Sequence, residues 1–362
     1  MTHASPNQVE TIIPFTAGDG LKLNLINIKN PHDVSKGAVI LVHGAGVRAN
    51  IFRAPVTQTI VDALVEQGYD VWLENWRASI DFKYKKWTLD QAAVYDHPYA
   101  VKKILEVTGA NQLKALVHCQ GSTSFTMSLM AGLLPQVTTV VSNAVSLHPV
   151  VPKWSKFKLY FMLPLVRLMT DYLDPQWGIK APTFAAKLIN AMVMLTHHEC
   201  DNPVCKLVSF TYGSGFPALW SHRNLNEQTH SWLSHEFAAV PLTFFAQITR
   251  SIKRGNLISV EGNSALPKDF TQDIPKTSAR FVFCAGQKNL CFLAESQKRS
   301  YQYFSAITAD FHVLKIFPDY GHLDVFMGKN AAKDTFPFII DELNKGNPIG
   351  KPNRVENYAE RL

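Results

Sequence analysis

The sequence predicts an α/β fold: a mostly parallel central sheet flanked by helices on both faces, with a large helical cap inserted over its carboxyl edge. Three observations carry this. Short apolar runs alternate with helix-forming segments through the first half of the chain. From about residue 148 to 275 that alternation stops, and aromatic and methionine side chains crowd the stretch instead. It then resumes at Ala279 and continues nearly to the end. Strands regularly separated by helices imply parallel pairing covered on both faces. The division that follows is a core of residues 1–147 and 276–362, with 148–275 as the cap.

The elements justify themselves in order. Glu10 to Thr16 and Leu21 to Ile28 alternate in polarity around Ala17-Gly18-Asp19-Gly20, an antiparallel hairpin. Ala38 to Val42 is continuously apolar, hence a strand buried on both faces. A helix is expected at Ala54 to Glu66, a strand at Asp70 to Leu73 and a second helix at Leu89 to Thr108. Leu113 to Val117 and Val137 to Val145 are two further apolar runs, with a helix between them that places Phe125, Leu129 and Leu133 on one stripe. The cap segment includes Trp154, Phe157, Tyr160, Phe161, Met162, Trp177, Met192 and Met194, too apolar for a disordered linker. The closing pattern is a strand at Ala279 to Cys284, a helix at Ala294 to Phe304, a strand at His312 to Phe317 and one last helix from Val325 to Leu343.

Composition narrows the function classes. With 362 residues, 46% of them hydrophobic, the chain can bury a large core. A net charge of +7 from scattered lysines and arginines does not point to nucleic acid, and leaves only a weak attraction to an anionic membrane surface or acidic substrate. The five cysteines (119, 200, 205, 284 and 291) form neither a dense disulfide framework nor a paired C-x2-C zinc motif. Cys200 and Cys205 are close enough in sequence to bridge, with free thiols the expected state. The first thirty residues carry no apolar signal core and no run reaches transmembrane length, so a soluble, cytoplasmic protein is expected. No metal or cofactor is implied; the flavin fingerprint G-x-G-x-x-G does not occur.

The chemistry concentrates at strand ends. After Leu113 to Val117 the chain turns through His118-Cys119-Gln120-Gly121 into a helix. A strand, a sharp turn and a helix, with glycine two places past the apex, is the elbow that thrusts a nucleophile out over the sheet. Here the apex is Cys119, and a helix start favours its thiolate. The base candidate is His322, on the loop after the last strand; His118, as the nucleophile's neighbour, is expected to point away. The orienting residue should follow Ala279 to Cys284, where no acid stands in place; Asn289 is nearest, with Glu295 a turn further on. A thiolate–imidazolium pair needs its third group only to orient the ring, and an amide does this in Cys-His-Asn enzymes. The oxyanion donors would be the backbone N–H groups of Gln120 and Ala45, the latter in the turn His43-Gly44-Ala45-Gly46.

These motifs give the chain its resemblance to the α/β-hydrolase superfamily. More narrowly it resembles the acid-lipase-like branch, whose elbow reads GHSQGT where this chain has VHCQGS. HGAG at 43–46, YDHP at Tyr95 to Pro98 and YGHLDVFMGKNA around His322 are similar to the same branch. The stretches His118 to Phe125 and Asn75 to Ser79 resemble hydrolase-like proteins fused to, or found alongside, cholesterol-oxidase-like flavoenzymes of the glucose-methanol-choline family. The resemblance implies hydrolysis of an apolar acyl or steroid-type ester, or of a thioester or lactone, through a cysteine acyl-enzyme. The competing expectation is a catalytically weak binding protein that holds an apolar ligand or docks a flavoenzyme partner.

Overall fold

The computed structural model describes residues 8–345. Its centre is an eight-stranded sheet formed by β1 (Val9–Thr16), β2 (Lys22–Lys29), β3 (Ala38–Val42), β4 (Asp70–Asn75), β5 (Leu113–His118), β6 (Val137–Asn143), β7 (Arg280–Gly286) and β8 (Val313–Phe317). The spatial order is β1-β2-β4-β3-β5-β6-β7-β8. Only β1–β2 and β2–β4 pair antiparallel; every other neighbouring pair is parallel. Val39 to Val42 on β3 are fully buried, as strands covered on both faces require. This is the α/β-hydrolase fold.

The helices that cover the sheet include α1 (Ile60–Glu66), α2 (His97–Thr108) and α3 (Cys119–Met130). Thr59 caps α1 in a reciprocal box with Asp62, so the helix starts there and not at Ala54 as the sequence pattern suggests. Ala49–Arg53 form a separate 3-10 turn ahead of it. Helix α3 is buried all round, so its predicted apolar stripe is not a single packed face. Its small hydroxyl side chains let it sit close to the strands, and they find partners there. Ser122 Oγ lies 2.6 Å from Ser142 Oγ, Thr123 Oγ1 lies 2.8 Å from Ser146 Oγ, and Ser128 donates to Ala93 O at 2.6 Å.

Between β6 and β7 the regular structure is helical apart from the two-residue pairing of Tyr172–Leu173 with Val240–Pro241 and an isolated bridge between Ile258 and Asp269, and residues 255–279 carry no helix. Its longer helices are α4 (Phe184–Thr196), α5 (Pro203–Tyr212) and α6 (Leu242–Arg254). Helix α7 (Ala294–Ile307) then separates β7 from β8. The expected last helix, Val325 to Leu343, is instead three pieces: Asp324–Met327, Ala331–Asp334 and α8 (Phe336–Asn344). Gly328 leaves the helical region after the first piece, and Pro337 sits in the first turn of α8, where its missing N–H costs nothing. Among the described residues no helix is long and apolar enough to cross a membrane.

Candidate active site

Strand β5 delivers the chain to Cys119, whose φ of 55° lies in the left-handed region. A non-glycine residue there stores about 1–3 kcal/mol of strain, held by the structure around it. The next turn starts α3, so the thiol is held clear of both elements. Two glycines make the corner possible. A Cβ on Gly121 would lie 2.1 Å from the His43 carbonyl oxygen, and one on Gly44 would lie 2.9 Å from Cys119 Cβ. The turn His43–Gly46 therefore runs directly against the apex, with Ala45 buried inside it. His43 shapes that turn: its Nδ1 lies 2.7 Å from Gly44 O, and burial pushes its pKa down to about 3, so the ring is neutral.

His322 reaches the apex from the loop after β8. Its backbone N–H donates to Leu219 O at 2.9 Å. Asp324, fully buried, fixes the loop by accepting from Gly321 N at 2.7 Å, Ser221 N at 3.1 Å and Asn224 Nδ2 at 2.7 Å. The Cys119 sulfur and one ring nitrogen each of His322 and His118 all lie within 4.8 Å of one another. His118 thus does not point away, contrary to the sequence-based expectation. Asn143 Nδ2 sits 2.9 Å from its Nδ1 and holds its ring 4.5 Å from that of His322. Burial, then the neighbouring His322 and His43, push the His118 pKa well below the ordinary value, so this ring is neutral too.

The third group is Asn289, whose Nδ2 lies 2.9 Å from His322 Nδ1. Its Oδ1 accepts from the backbone N–H groups of Cys291 at 2.9 Å and Phe292 at 3.2 Å. Those two donors fix which way the amide faces, because a backbone N–H cannot accept from an NH2 group. Nδ2 must then donate to His322 Nδ1, which leaves the ring proton on Nε2. A carboxylate in the same place would accept from Nδ1–H and leave Nε2 free to take a proton. Asn289 thus contacts the ring nitrogen an orienting acid would be expected to meet, but favours the opposite tautomer. Glu295 is not part of the site: it lies half exposed and pairs with Arg299 at 3.0 Å.

Sequence reasoning missed three residues here. Cys291 is the first: hydrogen bonding from its thiol is the largest influence drawing the Cys119 pKa well below the ordinary value. Burial opposes that shift, while His322 and the Gln120 backbone N–H support it. Cys291 itself is pushed well up and stays a thiol. Tyr212 is the second, its buried hydroxyl having no partner among the described residues. That hydroxyl rests against the turn His43–Gly46, since a Cβ on Gly46 would lie 2.1 Å from it. The third is Lys158, which donates to Phe210 O at 2.6 Å and Gly213 O at 2.5 Å, and whose pKa burial lowers to about 8. None of the three carries a local motif; each arrives from a distant segment.

Cys119, Gln120 and Cys291 form the floor of a narrow cavity of about 80 Å³. Its walls come largely from the cap, with Leu159, Met162, Leu163, Phe210, Phe244, Phe245 and Ile248 facing in. Outside it the cap exposes Trp154, Phe157, Phe161, Leu165 and Leu168.

The fold is the one shared by solved esterases and lipases, and the chain is similar in sequence to proteins of that kind. Lipases and esterases are among its relatives. It is 24% identical to lipase member K of Homo sapiens, with 90% of this chain and 85% of that protein covered. Lipase lipl-3 of Caenorhabditis elegans is 24% identical over 80% of this chain and 75% of its own. Sterol esterase 2 of Saccharomyces cerevisiae is 26% identical over 44% of this chain and 33% of its own. Among solved structures, a soluble variant of the monoglyceride lipase of Saccharomyces cerevisiae superposes with a TM-score of 0.58 at 11% identity, covering 97% of this chain and 98% of that one. An esterase of Exiguobacterium antarcticum gives 0.56 at 12% identity, covering 93% and 100%. No protein-family model matches the chain.

Proposed function

We propose that this chain is an esterase/lipase-type acyl hydrolase that uses Cys119 as its nucleophile and accepts apolar acyl groups. One observation carries the reading: a strained left-handed cysteine, with His322 beside it, forms the floor of an apolar cavity. The lipase and esterase relatives support the reaction class. The elbow and histidine motifs support the acid-lipase-like branch, and the apolar walls support a lipid-like or steroid-type acyl group.

The tautomer of His322 sharpens the substrate class. Attack by the Cys119 thiolate forms the C–S bond and moves the carbonyl pair onto oxygen, where the N–H groups of Gln120 and Ala45 and the Tyr212 hydroxyl receive it. Collapse restores the carbonyl and expels the leaving group with its electron pair. An alkoxide needs a proton at that moment, and the Asn289 NH2 group facing Nδ1 opposes the doubly protonated ring that would supply it. A thiolate or phenolate leaves without one. Thioesters and aryl esters are therefore favoured over alkyl esters. Water must then attack the acyl-enzyme, which needs a free Nε2 lone pair, and Asn289 disfavours it. Deacylation is the slow step.

The test is intact-protein mass spectrometry after mixing with a medium-chain acyl thioester. A covalent acyl adduct should accumulate within the first turnover, map to Cys119, and disappear in Cys119→Ala. Turnover without an adduct, at a rate the Cys119→Ala variant retains, would remove the cysteine mechanism.

A further inference from the structure

Four metal-ligating side chains come together in the cap, away from Cys119. Cys200 lies in the loop that follows α4, and Cys205 in the first turn of α5. His222 opens the short 3-10 turn His222–Asn224, and His230 lies on the short helix Glu227–Trp232. The two sulfurs and one nitrogen from each ring all lie within 4.8 Å of one another. Cys205 Sγ is 3.4 Å from His222 Nε2, already the spacing of two ligands on one ion. The two imidazoles meet edge to face, with centroids 4.8 Å apart and planes at 85°, so their nitrogens converge without the rings stacking. His230 Nε2 is buried and has no hydrogen-bond partner among the described residues. Both cysteines are free thiols.

We propose that Cys200, Cys205, His222 and His230 form a structural zinc site. Tetrahedral zinc with bonds of ~2.3 Å to sulfur and ~2.0 Å to nitrogen sets its ligands roughly 3.3–3.8 Å apart, so the four atoms need draw inward only slightly. Binding releases the two thiol protons to solvent. The two thiolates then cancel the charge of the ion, and the neutral rings complete the shell with no open position for catalysis. Four closed ligands of this kind select zinc over calcium or magnesium, which take oxygen. The spacing in sequence, C-x4-C followed by H-x7-H, departs from the paired C-x2-C pattern, which is why the sequence reading passes over it.

The site has a structural purpose that the surrounding contacts define. It ties the loop before α5 to the segment 222–230. Helix α5 carries Phe210 and Tyr212 into the cavity wall. The stretch just before His222 holds the histidine loop, through Leu219 O with His322 N and Ser221 N with Asp324. Zinc would therefore brace both the cavity and the loop that aims His322.

The test uses the full chain, without a histidine tag and kept reduced. Elemental analysis should find one equivalent of zinc per chain. After removal by chelator, the apo chain given cobalt(II) should show thiolate-to-cobalt charge transfer in the near ultraviolet and the intense visible bands of a tetrahedral ion. Cys205→Ser and His230→Ala should each lose both signals, whereas Cys119→Ser keeps them. Chelation should also lower the thermal midpoint of the wild type. If the cap variants do not fold, the wild-type and Cys119→Ser spectra decide alone. Three results would overturn the proposal: a reduced chain that takes up neither metal, a signal lost with Cys119→Ser, or a Cys200–Cys205 disulfide that persists under reduction.

Discussion

Two histidine-centred constellations of the sheet domain are mismatched in an instructive way. In the core, His97 Nδ1 lies 2.9 Å from Glu74 Oε2 and its Nε2 lies 2.7 Å from Ser124 Oγ. By residue type that is a serine, a histidine and an acid, in contact and in the right sequence of bonds. All three are fully buried, and none lines the cavity. In the second constellation Cys119 has the strained backbone and lines the cavity, with His322 and Asn289 buried behind it. Burial raises the pKa of Glu74, while His97 opposes it. That carboxylate knits β4 to α2 and, through Ser124, to the elbow helix. Residue types in contact do not make an active site; the core constellation lacks a strained apex that lines a cavity.

The largest effect that would break this comparison is on acylation. Cys119→Ala should abolish the acyl burst, a loss of at least about a thousandfold, because removal of a triad nucleophile leaves only binding and oxyanion contributions. Ser124→Ala should leave burst amplitude and rate within about threefold, since it touches no substrate. Stopped-flow release of thiol from an acyl thioester reads both. If Ser124→Ala removes the burst instead, the two constellations have been assigned the wrong way round.

On stability the order reverses. Glu74→Ala removes the partner of a buried histidine and should cost about 3–5 kcal/mol. Asn289→Ala leaves the Cys291 and Phe292 N–H groups without their acceptor and should cost about 1–3 kcal/mol. Denaturant unfolding of the full chain measures both, and an equal or inverted ranking would show that the core constellation does not hold the fold as described.

How much of this was legible in the sequence follows from the range of each interaction. The strands Ala38–Val42 and Leu113–His118, the apex at Cys119 and the need for Gly121 are local, and local pattern reveals them. The sequence also places His322 on the loop that reaches the apex. It does not reveal which way Asn289 faces, because backbone donors at 291 and 292 decide that. Nor does it reveal Cys291 beside Cys119, the inward turn of His118, or the meeting of Cys200 and Cys205 with His222 and His230. Each of these depends on how distant segments pack. The resemblance marked the YDHP run as a motif; packing shows that its histidine serves the core.

A smaller effect concerns pH. Because the Cys119 pKa is lowered, its thiolate persists below the range of a free thiol and disappears only as pH falls through the lowered value. At pH 6 a thiol with a pKa of about 8.5 is only roughly 0.3% ionised. Iodoacetamide should therefore still label Cys119 at that pH, resolved by peptide mass spectrometry from Cys200, whose thiol is also lowered by hydrogen bonding from Cys205. Cys291→Ala removes the largest contribution and should move the fall in labelling to higher pH. A labelling profile for Cys119 that follows an ordinary thiol, unchanged by Cys291→Ala, would contradict this electrostatic account.

The central claim is that an amide facing His322 with its NH2 group makes acyl release the slow step. Asn289→Asp tests it directly. Aspartate keeps an acceptor for the two backbone N–H groups and turns the other oxygen towards His322 Nδ1, restoring the tautomer with a free Nε2. Pre-steady-state kinetics on one acyl thioester separate the two steps. The burst rate should change by less than about threefold, while steady-state turnover should rise at least about tenfold, with a ceiling near the ~10⁴ that a triad carboxylate is worth in serine enzymes. Turnover that stays flat or falls while the burst survives would contradict the claim.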